Sequence, residues 1–332
     1  MGQLENGTWM AGAPLARLKG GAFDRPASSF RHWVTPDGAP GPSGEGGFRA
    51  EPGRYHLYVS YACPWAHRTL IVRNLKGLQD QIGVSVVHPE MLGDGWTFRT
   101  DFPATTGDDL FGLPFLRDIY LRSDPRATTK VTVPVLWDRE RGVIVSNESS
   151  EIIRMLTSAW DGVGARPLDL WPEPLREALE PVNARIYDTV NNGVYRAGFA
   201  QSQEAYEAAA RALFDTLDWL EERLAQSRYL MGATLTEADI RLFTTLIRFD
   251  TVYHGHFKCN RRKLIEYPAL WAYTRDLHQT PGVAETVHLD HIAHHYYFSH
   301  EGINPTRIVP IGPDLDLMAP HGREGLGGMR PA

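Results

Sequence analysis

Apolar and polar positions follow two different rhythms along this chain. Up to about residue 160 the apolar residues fall into short runs of β type: 55–61 (Tyr-His-Leu-Tyr-Val-Ser-Tyr), 83–88, 131–137 and 143–146. Such runs, bounded by Gly, Pro and charged clusters, predict strands. Between the first two, Ile71, Leu75 and Leu78 recur at i, i+4 and i+7, the spacing of one buried helix face. Pro64 stands in the first turn of that helix, where a proline is tolerated, and Gly77 lies near its end. The last two runs flank Asp138-Arg139-Glu140-Arg141-Gly142, which reads as the turn of a hairpin. A further helix is expected over 151–156, with Ser149 or Ser150 as its N-cap.

Beyond residue 161 the period lengthens. Segments 172–192, 203–227, 237–253 and 268–277 predict helices by length and spacing, and no strong strand is expected among them. The order β-α-β followed by β-β-α is that of a thioredoxin-like domain. The expected architecture is therefore an α/β domain over 54–160 and an all-helical domain over 172–332, joined through the loop 161–172. Residues 1–53 are rich in Gly and Pro with scattered aromatics (Trp9, Phe23, Phe30, Trp33) and read as an irregular arm. Residues 89–130 read as a long irregular connection, a feature that is uncommon unless functional. The tail from 283, rich in His, Tyr, Pro and Gly, is expected to wrap back over the rest.

Composition narrows the classes. The chain has 332 residues, 42% hydrophobic and 22% charged, which suffices for one large or two ordinary domains. The net charge of −6 and the absence of a Lys/Arg block speak against a nucleic-acid or anionic-membrane partner. No apolar run reaches membrane-spanning length, and the first residues do not form a secretory signal. Two cysteines, Cys63 and Cys259, exclude a disulfide framework and suit a reducing cytoplasm.

Chemistry concentrates at four places. Cys63-Pro64-Trp65-Ala66 lies between a strand and a helix. A thiol in water is only about 3% ionised at pH 7. A helix N-terminus favours the anion and so raises the thiolate fraction. Ala66 stands where a dithiol motif has its second cysteine, so an external thiol must resolve any mixed disulfide. The same cysteine also reads as a buried structural residue. In Thr132-Val133-Pro134-Val135 a proline interrupts a β run and cannot donate to a ladder. It reads either as an edge-strand proline or as the cis-proline of a thioredoxin-like domain, with the residue before it facing a peptide substrate. Asn147-Glu148-Ser149-Ser150 precedes a helix. Glu148 suits a ligand ammonium, and Ser149 with the helix N–H groups suits a ligand carboxylate, the two groups of a γ-glutamyl end. A plain N-cap is the equal alternative. His288, His291, His294, His295 and His300 are more readily packing and substrate contacts than a metal site, since no further ligand set completes them.

The chain as a whole resembles the glutathionyl-hydroquinone reductases, the Xi class of glutathione transferases, from about residue 23 to 313. The resemblance is carried by Phe30-Arg31-His32-Trp33, Tyr61-Ala62-Cys63-Pro64-Trp65-Ala66-His67-Arg68, Gly95-Trp96-Thr97-Phe98, Thr132-Val133-Pro134-Val135-Leu136-Trp137-Asp138 and Ser146-Asn147-Glu148-Ser149-Ser150-Glu151-Ile152. Thr236-Glu237-Ala238-Asp239-Ile240-Arg241, His256-Phe257-Lys258-Cys259-Asn260, His295-Tyr296-Tyr297 and Ile303-Asn304-Pro305 extend it. The cysteine–proline element alone is shared with other transferases. The resemblance implies a cytoplasmic homodimer with an N-terminal thioredoxin-like domain and a C-terminal all-helical glutathione-transferase domain. It implies glutathione as co-substrate, no metal, and reduction of glutathionyl-hydroquinones to hydroquinones. By the same carry-over Cys63 is the nucleophile, Tyr195 the proton donor, and Tyr253 and Tyr296 lie near the thiolate. Trp96 packs on glutathione, and Lys130, Val131, Thr132, Val133, Glu148 and Ser149 bind it. Lys130 replaces an expected arginine, exchanging a bidentate fork for a point charge, and Arg307 replaces an expected glycine.

The chemistry this implies has two steps. The Cys63 thiolate attacks the sulfur of a glutathione–aryl thioether, leaving a mixed disulfide, and a second glutathione resolves it. The rival readings are a conjugating transferase, a thiol transferase acting on small disulfides or dehydroascorbate, and a catalytically silent scaffold on a transferase fold.

Overall fold

The computed structural model of the chain describes residues 2–13, 17–19, 22–24 and 26–328. The contacts divide it into two compact units. One comprises residues 1–16 and 25–168, the other 17–24 and 169–332.

In the first unit, β1 (Gly2–Glu5) and β2 (Thr8–Ala11) form an antiparallel hairpin, and β3 (Arg17–Lys19) with β4 (Ala22–Asp24) form a second one that groups with the other unit. The core sheet follows: β5 (Tyr55–Val59), α1 (Pro64–Leu75), β6 (Ile82–Val86), α2 (Leu116–Ser123), β7 (Thr129–Lys130), β8 (Val135–Asp138), β9 (Val143–Ser146) and α3 (Ser149–Ser158). Its strand order is β6-β5-β8-β9, with β5 parallel to β6 and the other pairs antiparallel. All five residues of β5 are buried, as expected of a strand covered on both faces. Helices α1 and α3 pack together, and α1 buries Ile71 and Leu75 as its period requires. It ends at Gly77, whose φ of +67° closes the turn: Gly77 N–H donates to Asn74 O and Leu78 N–H to Arg73 O.

The second unit carries α4 (Arg176–Ile186), α5 (Gly193–Gly198), α6 (Gln203–Gln226), α7 (Glu237–Leu246), α8 (Pro268–His278) and α9 (Leu289–Ser299). Two wide π-type turns, Tyr187–Asn191 and Phe249–Tyr253, extend α4 and follow α7. The chain from Thr236 into α7 is fastened by Asp239. Its carboxylate accepts from the N–H and hydroxyl of Thr236, the N–H of Leu230 and the hydroxyl of Tyr273.

The sequence pattern misses or misplaces several elements. The arm is not wholly irregular, because Gly2–Ala11 folds as a hairpin and β1 pairs on with β7. The stretch 89–130 contains α2, whose Leu116, Ile119 and Tyr120 are buried at i, i+3 and i+4. The run at 131–137 enters the ladder only at Val135. The cap of α3 is Glu148 rather than Ser149 or Ser150. The tail contains α9.

Candidate active site

Cys63 is the N-cap residue of α1, with extended backbone (φ −78°, ψ 120°), and Pro64 occupies the first helical position. Neither this cysteine nor Cys259 is disulfide-bonded. Cys63 is partly exposed, and its Sγ lies 3.6 Å from the carbonyl of Val133. The side chain therefore stands where the first N–H groups of α1 and the helix dipole favour a thiolate. Ala66, one turn on, is fully buried. Cys259 is different: it is fully buried, and burial pushes its thiol far above the ordinary value, so it stays protonated and inert.

The Val133–Pro134 peptide is cis. The segment leading to it is held by Tyr120 from α2. The Tyr120 hydroxyl donates to the carbonyl of Thr132 at 2.8 Å and accepts from the N–H of Thr132 at 3.2 Å and from Asn147 Nδ2 at 3.2 Å. The N–H of Val133, in contrast, has no acceptor among the described residues. A backbone donor in so buried a place calls for a partner. Sequence reasoning missed Tyr120 because it read the whole stretch as loop; the i, i+3, i+4 spacing of Leu116, Ile119 and Tyr120 was the available signal.

Glu148 caps α3 with its own side chain. One carboxylate oxygen accepts from the N–H and hydroxyl of Ser150 at 3.1 and 2.8 Å; the other accepts from the Ser28 hydroxyl at 2.9 Å. Burial opposes its ionisation. The bonds from Ser150 and Ser28, with the nearby charge of Arg68, outweigh that and hold the carboxyl below its usual range. Ser149, the first residue of α3, is buried, with Arg68 Nη1 3.5 Å from its Oγ. The Arg68 guanidinium also lies over the Trp65 ring, 4.5 Å from its centroid. One anionic side chain and one helix N-terminus thus stand side by side.

Trp96 is buried in the connection from β6 to α2, and its carbonyl accepts from Leu116 N–H. Lys130 ends β7, and Val131 and Thr132 follow it directly.

The second unit gathers the three tyrosines named from sequence. Tyr195 projects from α5, Tyr253 from the second π turn and Tyr296 from α9, and all are buried. The Tyr296 hydroxyl lies 2.5 Å from that of Tyr195 and 3.0 Å from that of Tyr253. Burial first, then the neighbouring phenols, pushes Tyr253 and Tyr296 well above the ordinary value, while the buried Arg248 pulls weakly the other way. Phenols in such a setting keep their protons at neutral pH. Phe257 stacks on Tyr253 at 5.5 Å and meets Tyr195 edge-on at 5.5 Å. His256 Nε2 and His300 Nδ1 are 3.2 Å apart at the border of the cluster, and burial depresses both imidazoles, His256 to about 4.

The tail histidines meet in pairs, His288 with His291 at 5.6 Å and His295 with His300 at 5.5 Å between ring centroids. Among the described residues no group of three or more His, Cys, Asp or Glu side chains could hold a metal ion. Among them, too, no helix is long and apolar enough to cross a membrane. Arg307 has φ +55°, a conformation in which the glycine expected there is free of strain.

Comparison with known proteins agrees with this layout. The models for the glutathione S-transferase N-terminal and C-terminal domains match residues 62–159 and 203–276. Glutathionyl-hydroquinone reductase YqjG of Escherichia coli is 56% identical over 98% of this chain and 99% of its own. Its structure with glutathione bound superposes with a TM-score of 0.91 over 97% of this chain and 99% of that one. Glutathionyl-hydroquinone reductase PcpF of Sphingobium chlorophenolicum is 50% identical over 96% and 98% of the two chains. A Xi-class glutathione transferase from Natrialba magadii is 48% identical, with a TM-score of 0.90 over 99% of this chain and 98% of that one.

Proposed function

The chain belongs to the glutathione transferases, in the Xi-class group of glutathionyl-hydroquinone reductases, and from that premise we propose that it reduces glutathionyl-hydroquinones to hydroquinones with glutathione as co-substrate. The observation that carries the reading is Cys63 at the start of α1, with Ala66 where a second thiol would stand.

The Cys63 thiolate attacks the glutathione sulfur of the substrate. An S–S bond forms, the aryl C–S bond breaks, and its electron pair passes to the ring carbon, which takes a proton. Tyr195 supplies that proton, with Tyr296 and Tyr253 as the relay behind it. The cluster suits this role: its two mutual hydrogen bonds consume two of three hydroxyl protons. A second glutathione then attacks the Cys63 mixed disulfide and leaves as oxidised glutathione, returning the thiol.

Glutathione binding is assigned as follows. The N–H of Val133, which has no acceptor among the described residues, and its carbonyl pair with the cysteinyl backbone. Glu148 receives the γ-glutamyl ammonium, and the α3 N-terminus with Ser149 receives its carboxylate. Lys130, Val131, Thr132 and Trp96 complete the contacts. Two cysteines outside any disulfide, together with dependence on glutathione, suit the cytoplasm. The active form in this reading is a homodimer, which light scattering tests by a mass of twice the chain.

Mass spectrometry of the protein after one turnover with a glutathionyl-hydroquinone tests the scheme. A glutathione adduct on Cys63, formed in step with hydroquinone release, is expected. Hydroquinone release with no adduct on Cys63 refutes it. Thiol transfer to small disulfides remains the second reading, because it needs Cys63 and no proton donor to carbon. A kcat/KM higher for a simple disulfide than for the glutathionyl-hydroquinone would favour it.

A further inference from the structure

The hairpin β1–β2 holds the segments that run into both walls of the assigned glutathione site. On one side, β1 pairs with β7, placing Gln3 opposite Lys130 and Leu4 opposite Thr129. Asn6 N–H donates to Thr128 Oγ1 at 2.8 Å and Gly7 N–H to Ala127 O at 3.0 Å. These bonds fasten the chain just before Val131, Thr132 and Val133. Leu4, fully buried, anchors the strand.

On the other side, β2 delivers Trp9 to the turn that precedes Trp96. The Trp9 indole N–H donates to Gly93 O at 3.0 Å. Its ring covers Gly95, where an added Cβ would come within 2.9 Å of it, so the turn and the indole fit only with glycine there. Arg117, in the first turn of α2, lies 5.0 Å from the Trp9 ring centroid and donates to Asp94 O at 2.6 Å. The turn is thus gripped by an indole and a guanidinium together.

We infer that the N-terminal hairpin is a positioning element for glutathione, acting through Trp9 on the Gly93–Gly95 turn and hence on Trp96. The inference rests on the reading that Trp96 and the segment before Pro134 bind glutathione. Its physical basis is pre-organisation. Loops already ordered give up less conformational freedom when the ligand binds, so loss of the grip weakens glutathione binding more than it slows chemistry. Trp9 touches no reacting atom in this scheme and is a positioning residue.

Alkylation of Cys63 by iodoacetamide, with and without glutathione, is the test, applied to the full chain and to its Trp9→Ala and Trp9→Phe variants. Without glutathione all three are expected to alkylate at the same rate with the same pH profile. The glutathione concentration giving half-protection is expected to rise about tenfold in Trp9→Ala, the loss of roughly one immobilised side chain's ordering. Trp9→Phe, which keeps an aromatic ring but loses the donor and part of the ring face over Gly95, is expected to shift about threefold and carries the test if Trp9→Ala does not fold. In turnover the KM for glutathione rises while kcat holds. Equal half-protection in all three proteins overturns the role of the hairpin and leaves the glutathione reading standing. Failure of glutathione to protect the unaltered chain overturns that reading itself. A changed alkylation rate without glutathione places Trp9's effect on the thiol and overturns the assignment.

Discussion

The hydroxyls of Tyr195 and Tyr296 lie 2.5 Å apart although the residues are separated by about a hundred positions in the chain. Tyr296 bridges to Tyr253 as well, so it is the middle member of the cluster. Replacing Tyr195 by Phe is expected to lower kcat on a glutathionyl-hydroquinone by about 10²–10⁴, the usual worth of a positioned acid. Tyr296→Phe should lower it by less. Exchange with a small disulfide, which needs no proton on carbon, should keep its rate in both. Steady-state kinetics on the two substrate types make the comparison.

Cys63→Ser is expected to abolish turnover with no change in thermal midpoint, since the side chain is partly exposed and keeps nearly its shape. Cys259→Ala is expected to keep turnover and to lose about 1–2 kcal/mol of stability, the cost of a small buried void. Activity assays paired with melting curves check both.

Asp239→Ala leaves the N–H groups of Leu230 and Thr236 and the hydroxyls of Thr236 and Tyr273 without their shared acceptor. The expected loss is about 3 kcal/mol or more, because these donors are buried. Denaturant titration measures it.

Acid should weaken the helical unit through His256 and His300. Both are held neutral by burial, and His256 is depressed to about 4 from an ordinary 6.5. The unfolded chain therefore takes up protons first. The contribution of these groups is intact above the ordinary value and is lost as pH falls toward about 4. A His256→Gln variant should show a shallower fall in stability over that window, measured by urea unfolding at a series of pH values.

Arg307→Gly is expected to change stability by no more than about 1 kcal/mol. It relieves a left-handed φ of +55° and gives up an exposed ion pair with Glu301. Thermal melts of the two proteins decide which effect is larger.

What was legible in the sequence follows from how local the determining forces are. The core strands and α1 declare themselves because burial on both faces makes Tyr55–Val59 an unbroken β-type run and imposes a helical period on Ile71 and Leu75. The hairpin β1–β2 does not: four-residue strands around Asn6-Gly7 carry no alternation long enough to read, and their order comes from distant partners in β7 and at Gly93. Helix α2 is masked by the Gly, Pro and Asp residues on either side of it. Glu148 caps α3 through a bond to Ser150, a role that a serine beside it could equally have taken. At the site, Cys63 was visible because a helix start has a local signature. Tyr195, Tyr253 and Tyr296 have none, since three helical segments brought together by packing define their cluster. They entered only through the family pattern.

Ala66 leaves the start of α1 with a single sulfur. An oxidised Cys63 has no partner in its own helix on which to close. In the proposed cycle the glutathione adduct is then a cap as well as an intermediate. When glutathione runs short, the protein stops in a reversible, masked form in which the sulfur cannot climb to the sulfinic state. Its idle condition under oxidative stress is storage rather than damage, and the return of glutathione restores it.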